Sequence, residues 1–196
     1  MSAVSRLVRV TTIGMLVCLL VCLTADSSRA QPGSVINREN TLKALFLYNF
    51  GSYVEWPAGV FASENEPFEI GVFGQTPVEP VLREIAANKK INGRRIVIRR
   101  FASIEALRPC PIVFISDDVD STTQEIALQS LAGDHVLVVG ESAGFAQRGG
   151  VVNFVVESNK LRFQINVGAA RRRGLKISAK LLSLARIVGA ASATAE

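Results

Sequence analysis

Three aspartates, Asp117, Asp118 and Asp120, follow the apolar run 111–115 and form the strongest catalytic hint in the sequence. Carboxylates that stand this close together can bind Mg²⁺ or shift one another's pKa. The same residues precede a predicted helix, and negative charge at a helix N-terminus stabilises the helix dipole. We favour this second interpretation. A Mg²⁺-dependent hydrolase that uses Asp117 and Asp118 is the weaker alternative.

Histidine and cysteine are scarce in this chain. His135 is the sole histidine, and Cys110 is the sole cysteine after residue 30. A Ser-His-Asp triad and metal sites of the His/Cys type therefore have almost no residues to draw on, and no G-x-S-x-G motif accompanies His135. Cys110 lies between two prolines before an apolar run, which is typical of a small buried side chain. An intermolecular or regulatory thiol is the alternative.

Two consecutive glycines, Gly149 and Gly150, precede a predicted strand. The sequence contains neither G-x-G-x-x-G nor G-x-x-x-x-G-K-[ST], so it gives no support for dinucleotide or nucleotide chemistry. The glycines most simply permit close backbone passage or a positive φ, with anion binding as the alternative. Asp117, Gly149 and Gly150 are accordingly the candidate ligand-binding residues of a small-ligand pocket.

The first thirty residues have the order of a secretory signal peptide. Arg6 and Arg9 precede the uncharged stretch 10–23, and the small-x-small triplet 28–30 follows. Fourteen residues in a helix extend about 21 Å, short of the ~30 Å hydrocarbon core of a bilayer. We expect cleavage after Ala30 and export to the periplasm. An uncleaved N-terminal anchor is the alternative.

Cleavage there changes both the charge and the cysteine content. Residues 31–196 carry a net charge of +3, against +5 for the full chain, and keep Cys110 alone, so no intramolecular disulfide can form. Such a mild charge gives no argument for nucleic-acid binding. The sequence therefore predicts a signal peptide over 1–30 and one domain over 31–196.

An alternation of helices and strands must position these residues. Apolar spacing predicts a helix that Asn37 caps and that ends at Trp56-Pro57, with Leu42, Leu45, Phe46, Tyr53 and Val54 on one broad face. Four apolar runs predict strands, and two further helices open at Pro77 and, from a Ser121-to-Gln124 capping box, at Thr122. The predicted strands are 68–73, 95–101, 111–115 and 135–139. This alternating order is typical of a parallel sheet wrapped by helices.

The C-terminal part has a different pattern. Strands 151–157 and 160–166 are separated only by Ser158-Asn159, which suits a two-residue hairpin turn. Asn166 is expected to cap a short helix that Gly174 ends, and 178–188 is predicted as a last helix. The fold class is therefore α/β: a mainly parallel sheet flanked by helices, with a C-terminal β-hairpin and terminal helices.

Five stretches of the chain resemble the YfiR family of periplasmic regulators in the same order, across 37–188. They are KALFLYNF with VEWP (43–50, 54–57), FEIGVFG (68–74), IVFIS (112–116), GGVVNF (149–154), and RFQIN with AAR, GLKIS and KLL (162–166, 169–171, 174–178, 180–182). Family members commonly carry extra cysteines that could form disulfides, whereas this chain keeps only Cys110 after cleavage.

The resemblance implies a non-enzymatic periplasmic protein without a cofactor. It implies repression of a membrane-anchored diguanylate cyclase through its periplasmic sensory part, and hence a role in cyclic-di-GMP and biofilm signalling. An outer-membrane partner, such as a lipoprotein, would draw the protein off, and a homodimer is a further implied state. A periplasmic small-ligand sensor or solute-binding protein is the alternative function.

A repressor of this kind needs exposed apolar surface rimmed by charge. The end of the first helix supplies aromatic candidates, and the C-terminal segment supplies a basic edge. The predicted partner-binding residues are Glu55, Trp56, Phe61, Arg171, Arg172 and Lys176. Trp56 belongs equally well to the core or to the interface, whereas Phe50 is assigned to the core.

Overall fold

The computed structural model describes residues 32–189, so the predicted signal peptide and its cleavage site lie outside the described residues. In chain order the elements are α1 (Pro32–Tyr53), β1 (Val54–Glu55), β2 (Phe68–Phe73), α2 (Val78–Asn88), β3 (Lys90–Ile91), β4 (Arg94–Phe101), β5 (Ile112–Ile115), α3 (Ser121–Ser130), β6 (Leu137–Gly140), β7 (Val152–Glu157), β8 (Lys160–Asn166), α4 (Val167–Arg172), β9 (Lys176–Ile177), α5 (Ala179–Leu182) and β10 (Arg186–Val188). Within this range, no helix combines the length and the apolar run that a membrane span requires.

One sheet of eight strands organises the fold, in the order β10-β8-β7-β6-β5-β2-β4-β3. The five neighbours β7, β6, β5, β2 and β4 are parallel, while β8 and β3 pair antiparallel at the two sides and β10 runs parallel to β8. The predicted α/β class with a mainly parallel sheet and a C-terminal hairpin is confirmed. The chain reverses its direction of travel across the sheet between β2 and β5, where doubly wound folds usually bind ligands.

The core lies on both faces of this sheet. In β5, Ile112 and Phe114 point into the larger hydrophobic cluster, and Val113 and Ile115 point into the smaller one, all at 0% exposure. Alternate side chains of a strand face opposite sides, so a strand that is apolar throughout requires cover on both. The prediction of a central, doubly covered strand at 111–115 is therefore confirmed.

Helix α1 differs from its prediction at its start and in its buried face. The helix begins at Pro32, so Asn37 lies inside it and does not cap it. Ala44, Leu47 and Phe50 are fully buried, whereas Leu42 and Leu45 are 38% and 41% exposed. The other residues of the predicted face do contact the core: Val54 is buried, and Phe46 and Tyr53 are partly buried against it. The prediction is therefore wrong only for the side of the helix that carries Leu42 and Leu45.

The capping box predicted at the start of α3 is displaced by one residue. The N-cap is Asp120, whose carboxylate accepts a hydrogen bond of 3.0 Å from the Thr123 N–H. The Gln124 amide does not fold back to the cap but donates to the carbonyl of Val119 (2.7 Å) and to the hydroxyl of Ser142 (2.6 Å). Aspartate and serine are nearly equal caps, and the tertiary bonds of Gln124 favour the earlier start.

The predicted last helix is wrong beyond its first turn. Ser178 caps α5 as expected, through a 3.2 Å bond from the Leu181 N–H, but the helix ends at Leu182. Residues 186–188 instead form β10 on the open side of β8. A helix of four residues is marginal in water, and β-branched Ile187 and Val188 suit a strand, so pairing with the sheet prevails.

Candidate functional site

Asp118 lies in the loop after β5 and bonds to the loop after β2. Its two carboxylate oxygens accept from the Gln75 N–H at 3.1 and 2.9 Å, and the Ser116 hydroxyl donates to the Gln75 carbonyl at 2.9 Å. Gly74, directly before Gln75, has φ +92°, and a Cβ at this position would stand 2.4 Å from the Asp118 carboxylate. A cavity of about 320 Å³ adjoins this loop. The acid on its wall is thus already bonded to the backbone.

The three predicted aspartates therefore have different environments. Asp120 caps α3, and its bonds with Thr123 lower the pKa of its carboxyl group. Asp117 is exposed and does not line the cavities beside Asp118 or Gly149. The helix N-terminal interpretation is confirmed for Asp120, and residues 32–189 contain no group of three or more acidic, histidine or cysteine side chains arranged to hold a metal ion.

His135 and Cys110 lie at the amino ends of the central strands β6 and β5, on the opposite side from Asp118 along the strand direction. Both line a cavity of about 230 Å³ together with Phe61. His135 Nδ1 lies 2.8 Å from the Arg173 carbonyl oxygen, which engages one ring nitrogen with the backbone. Cys110 is 7% exposed, and burial raises the pKa of its thiol to about 12. The prediction of a small buried side chain is confirmed for Cys110.

The two glycines of the predicted ligand pocket have different roles. Gly150 is buried, and a Cβ there would stand 2.3 Å from the ring of Phe145, so packing alone requires glycine. Gly149 has φ +113° with open space around it. It lines a cavity of about 500 Å³, and neither Asp117 nor Gly150 does. The structure therefore does not assemble Asp117, Gly149 and Gly150 into one pocket.

The cavity beside Gly149 is rich in arginine. It lies between the C-terminal half of α3 and the end of α4, and its walls include Arg148, Arg172 and Arg173. Arg172 is one of the predicted partner-binding residues, whereas Arg148 and Arg173 are not among the predicted site residues. The run 171–173 was the available signal for Arg173, but a charge run usually marks a solvated face.

A buried ion pair lies at the carboxyl end of β6. Lys43 Nζ lies 2.6 Å from Glu141 Oε2 and 2.7 Å from Glu39 Oε1, and this lysine is only 9% exposed. Burial is the largest single effect and lowers the pKa of Lys43, but the hydrogen bonds to Glu141 and Glu39 raise it above its ordinary value overall. The pair ties α1 to the end of β6.

Strands β1 and β9 form a two-stranded antiparallel ribbon after α1, which the sequence does not predict. Val54 lies opposite Ile177, and Glu55 lies opposite Lys176. The side chains of Glu55 and Lys176 are exposed, whereas Val54 is buried. The β1–β9 ribbon thus brings an acid from the helix end beside a base from the C-terminal segment.

The aromatic residues at the ribbon pack on the start of β2. The Trp56 ring packs edge to face on the Phe68 ring, with centroids 5.2 Å apart. The Phe61 ring also packs on Phe68, with centroids 5.8 Å apart. The Arg94 guanidinium lies 4.2 Å from the centre of the Phe61 ring. Trp56 and Phe61 are half-buried, and the Trp56 Nε1 is buried with no acceptor in the described part of the chain. Both rings support the core and keep part of their surface exposed.

The remaining predicted arginines belong to α4, which contacts β9. Arg171 and Arg172 end α4 and are exposed, and Arg173 after them is buried at 6%. Phe50 is fully buried, which confirms its place in the core.

Comparison with solved structures supports the fold. The chain is similar to a conserved domain protein of Vibrio cholerae O1 biovar El Tor strain N16961, at a TM-score of 0.50 and 13% identity, over 76% of this chain. The match spans 59% of that protein. A similarity to the ABC domain in complex with L-Trp from Streptococcus pneumoniae has a TM-score of 0.46 and 11% identity over 61% of this chain and 55% of that one, too low to carry an argument.

A family model gives the relationship in sequence. The model described as DUF4154, YfiR/HmsC-like, matches residues 40–186, from the first half of α1 to the start of β10. This range includes the ribbon, the aromatic residues and the arginine-lined cavity. The chain therefore belongs to the YfiR/HmsC-like family.

Proposed function

We propose that this chain binds the periplasmic sensory part of a membrane-anchored diguanylate cyclase and represses it. Membership of the YfiR/HmsC-like family supports a periplasmic regulatory role in general. The observation that carries the proposed binding surface is the β1–β9 ribbon, in which Glu55 lies opposite Lys176. We name the exposed part of this region the ribbon surface; it consists of Glu55, Trp56, Phe61, Arg171, Arg172 and Lys176.

The composition of the ribbon surface fits a protein interface. It combines two half-buried aromatic rings with four exposed charged side chains. Aromatic residues and arginine carry a disproportionate share of binding free energy, and charge at the periphery contributes to orientation and specificity. Three cations stand against one acid, so we expect the complementary patch of the cyclase to be acidic overall, with a basic group facing Glu55.

Charge reversal tests this surface in the native host. Deletion of the gene should raise the cellular concentration of cyclic-di-GMP. Expression of the wild-type chain in the deletion strain should return that concentration to normal. Glu55→Lys and Lys176→Glu should each fail to restore repression, because each changes the charge that the partner meets. Glu84→Lys, in α2, and Lys89→Glu, directly after it, change exposed residues and are matched controls that should repress normally.

The double exchange Glu55→Lys with Lys176→Glu separates docking from folding. It keeps opposite charges facing each other across the ribbon, where such a pair contributes roughly 0.2–1 kcal/mol, so stability should return to the wild-type value. The arrangement seen by the partner is reversed, and repression should stay lost. Full repression by the double variant would remove the ribbon surface from the proposal, and unchanged cyclic-di-GMP on gene deletion would remove the repressor function itself.

A further inference from the structure

The arginine-lined cavity has the size and the walls of a site for a small organic molecule. Its volume is about 500 Å³, within the roughly 300–1,000 Å³ range of small-molecule sites. Leu128, Ala132 and Ala169 contribute apolar surface, and Gly149 contributes backbone without a side chain. The opening is bounded by two helices that end close together, α3 and α4.

The charges around this cavity are unbalanced. Arg148, Arg172 and Arg173 line it, and Glu125 is the one acid among the lining residues. The ion pairs of the described residues do not include any of these three arginines. Guanidinium groups removed from water are costly without a counter-charge, and a bound oxyanion would supply it.

Two of the arginines are held in place by hydrogen bonds to neutral groups. Arg173 donates to the carbonyls of Leu131 and Leu128 at the end of α3, and its burial lowers the pKa of the guanidinium group. Arg148 donates to Gln124 Oε1 at 2.9 Å and to the carbonyl of Ala143 at 2.5 Å. These bonds hold both cations at the wall without an ion pair, and Asp134 is the acid that interacts electrostatically with Arg173.

Arg172 is the group best able to contact a ligand directly. It is exposed, and its side chain makes no hydrogen bond or ion pair within residues 38–189. Guanidinium binds carboxylate and phosphate oxygens in a bidentate geometry. We propose that this cavity binds a small organic anion, whose carboxylate or phosphate contacts Arg172 in the field of Arg148 and Arg173 and whose apolar part lies against Leu128 and Ala169. This anion site goes beyond the proposed function, and Arg172 is common to the cavity and to the ribbon surface.

Four ligands with one ring and different charges test the proposal. Benzoate and phenyl phosphate supply the two oxyanions, benzyl alcohol is the neutral control, and benzamidine is the cationic control. Titration calorimetry on the processed chain at low salt should detect binding of at least one anion and neither control. Benzoate alone identifies a carboxylate site, phenyl phosphate alone a phosphate site, and both together a general organic-oxyanion site. Binding of neither anion, or equal binding of benzyl alcohol, would overturn the proposal.

Variants locate the site. Arg172→Gln should weaken anion binding about tenfold or more, because a hydrogen bond to a charged group is lost. Arg171→Gln is the matched control, since Arg171 is also exposed on α4 but does not line the cavity. Ala132→Asp, which places a negative charge on the wall without touching an arginine, should also weaken binding. Equal affinity in wild type and Arg172→Gln would refute the site, as would inorganic phosphate binding as tightly as phenyl phosphate.

Discussion

Substitution of Trp56 separates its packing role from its proposed docking role. A buried tryptophan replaced by alanine costs roughly 3–5 kcal/mol; Trp56 is half-buried, so we expect Trp56→Ala to cost about 2 kcal/mol, including the edge-to-face pair with Phe68. For a domain of this size that loss lowers Tm by about 4–8 °C. Trp56→Phe should change stability by less than about 1 kcal/mol, because it keeps a ring on Phe68 and loses no hydrogen bond of Nε1.

Binding is measured in parallel on the immobilised periplasmic sensory domain of the cyclase. A tryptophan anchor at an interface typically contributes ~2 kcal/mol or more, and partial exposure reduces our expectation to about a tenfold loss of affinity in Trp56→Ala, or about 1.4 kcal/mol. Urea unfolding reports stability, and biolayer interferometry at a temperature where each variant is folded reports affinity. If Trp56→Ala unfolds at lower urea yet binds like wild type, Trp56 is a core residue only and the reasoning for the ribbon surface fails at its centre.

Three further predictions concern packing, capping and the thiol. Gly150→Ala should destabilise by about 1–3 kcal/mol through overpacking against the ring of Phe145, and Phe145→Leu in the same chain should recover part of the loss; strictly additive urea unfolding data would contradict this contact. Asp120→Ala should lower stability at pH 7, and because the folded-state pKa of Asp120 is lowered, the difference should shrink as pH falls through that pKa; Asp120→Asn, which also caps, should cost less than Asp120→Ala at pH 7, and its difference from the wild type should change with pH in the same way. Native Cys110 should resist iodoacetamide at pH 8 and react in denaturant, since burial raises its pKa to about 12; rapid native labelling would contradict its burial.

The parts of the fold that the sequence predicts well depend on short-range information. Ser158 and Asn159 have φ values of 48° and 59°, as a tight hairpin turn requires, and Asn166 caps α4 through a 2.8 Å bond from the Ala169 N–H. The parts that it misses depend on distant partners. β10 forms because β8 has an unpaired side with which residues 186–188 pair. The sequence near residues 186–188 does not show that this side of β8 is unpaired.

The same distinction holds for the candidate sites. The cap function of Asp120 is local and follows from its place before a helix, although the exact capping residue does not. The pairing of Glu55 with Lys176 and the meeting of Gly149 with Arg172 join segments that are far apart in the chain. From residue type alone, Gly149 is predicted to bind a ligand and Arg172 to bind a partner. The structure places both residues on the wall of one cavity.

Two places in the fold present groups that are able to bind another molecule. In a doubly wound sheet the usual ligand crevice lies beyond the carboxyl ends of the strands at the reversal point; here the exposed Asp118 carboxylate accepts from the Gln75 amide beside a cavity of about 320 Å³. Exposed charges and half-buried rings lie at the ribbon, where Trp56 packs on the first residue of β2. Arg172 belongs to the ribbon surface and also to the arginine-lined cavity. A partner and an anion that both contact Arg172 must influence each other's affinity by the same factor, so one side chain would connect ligand binding to repression.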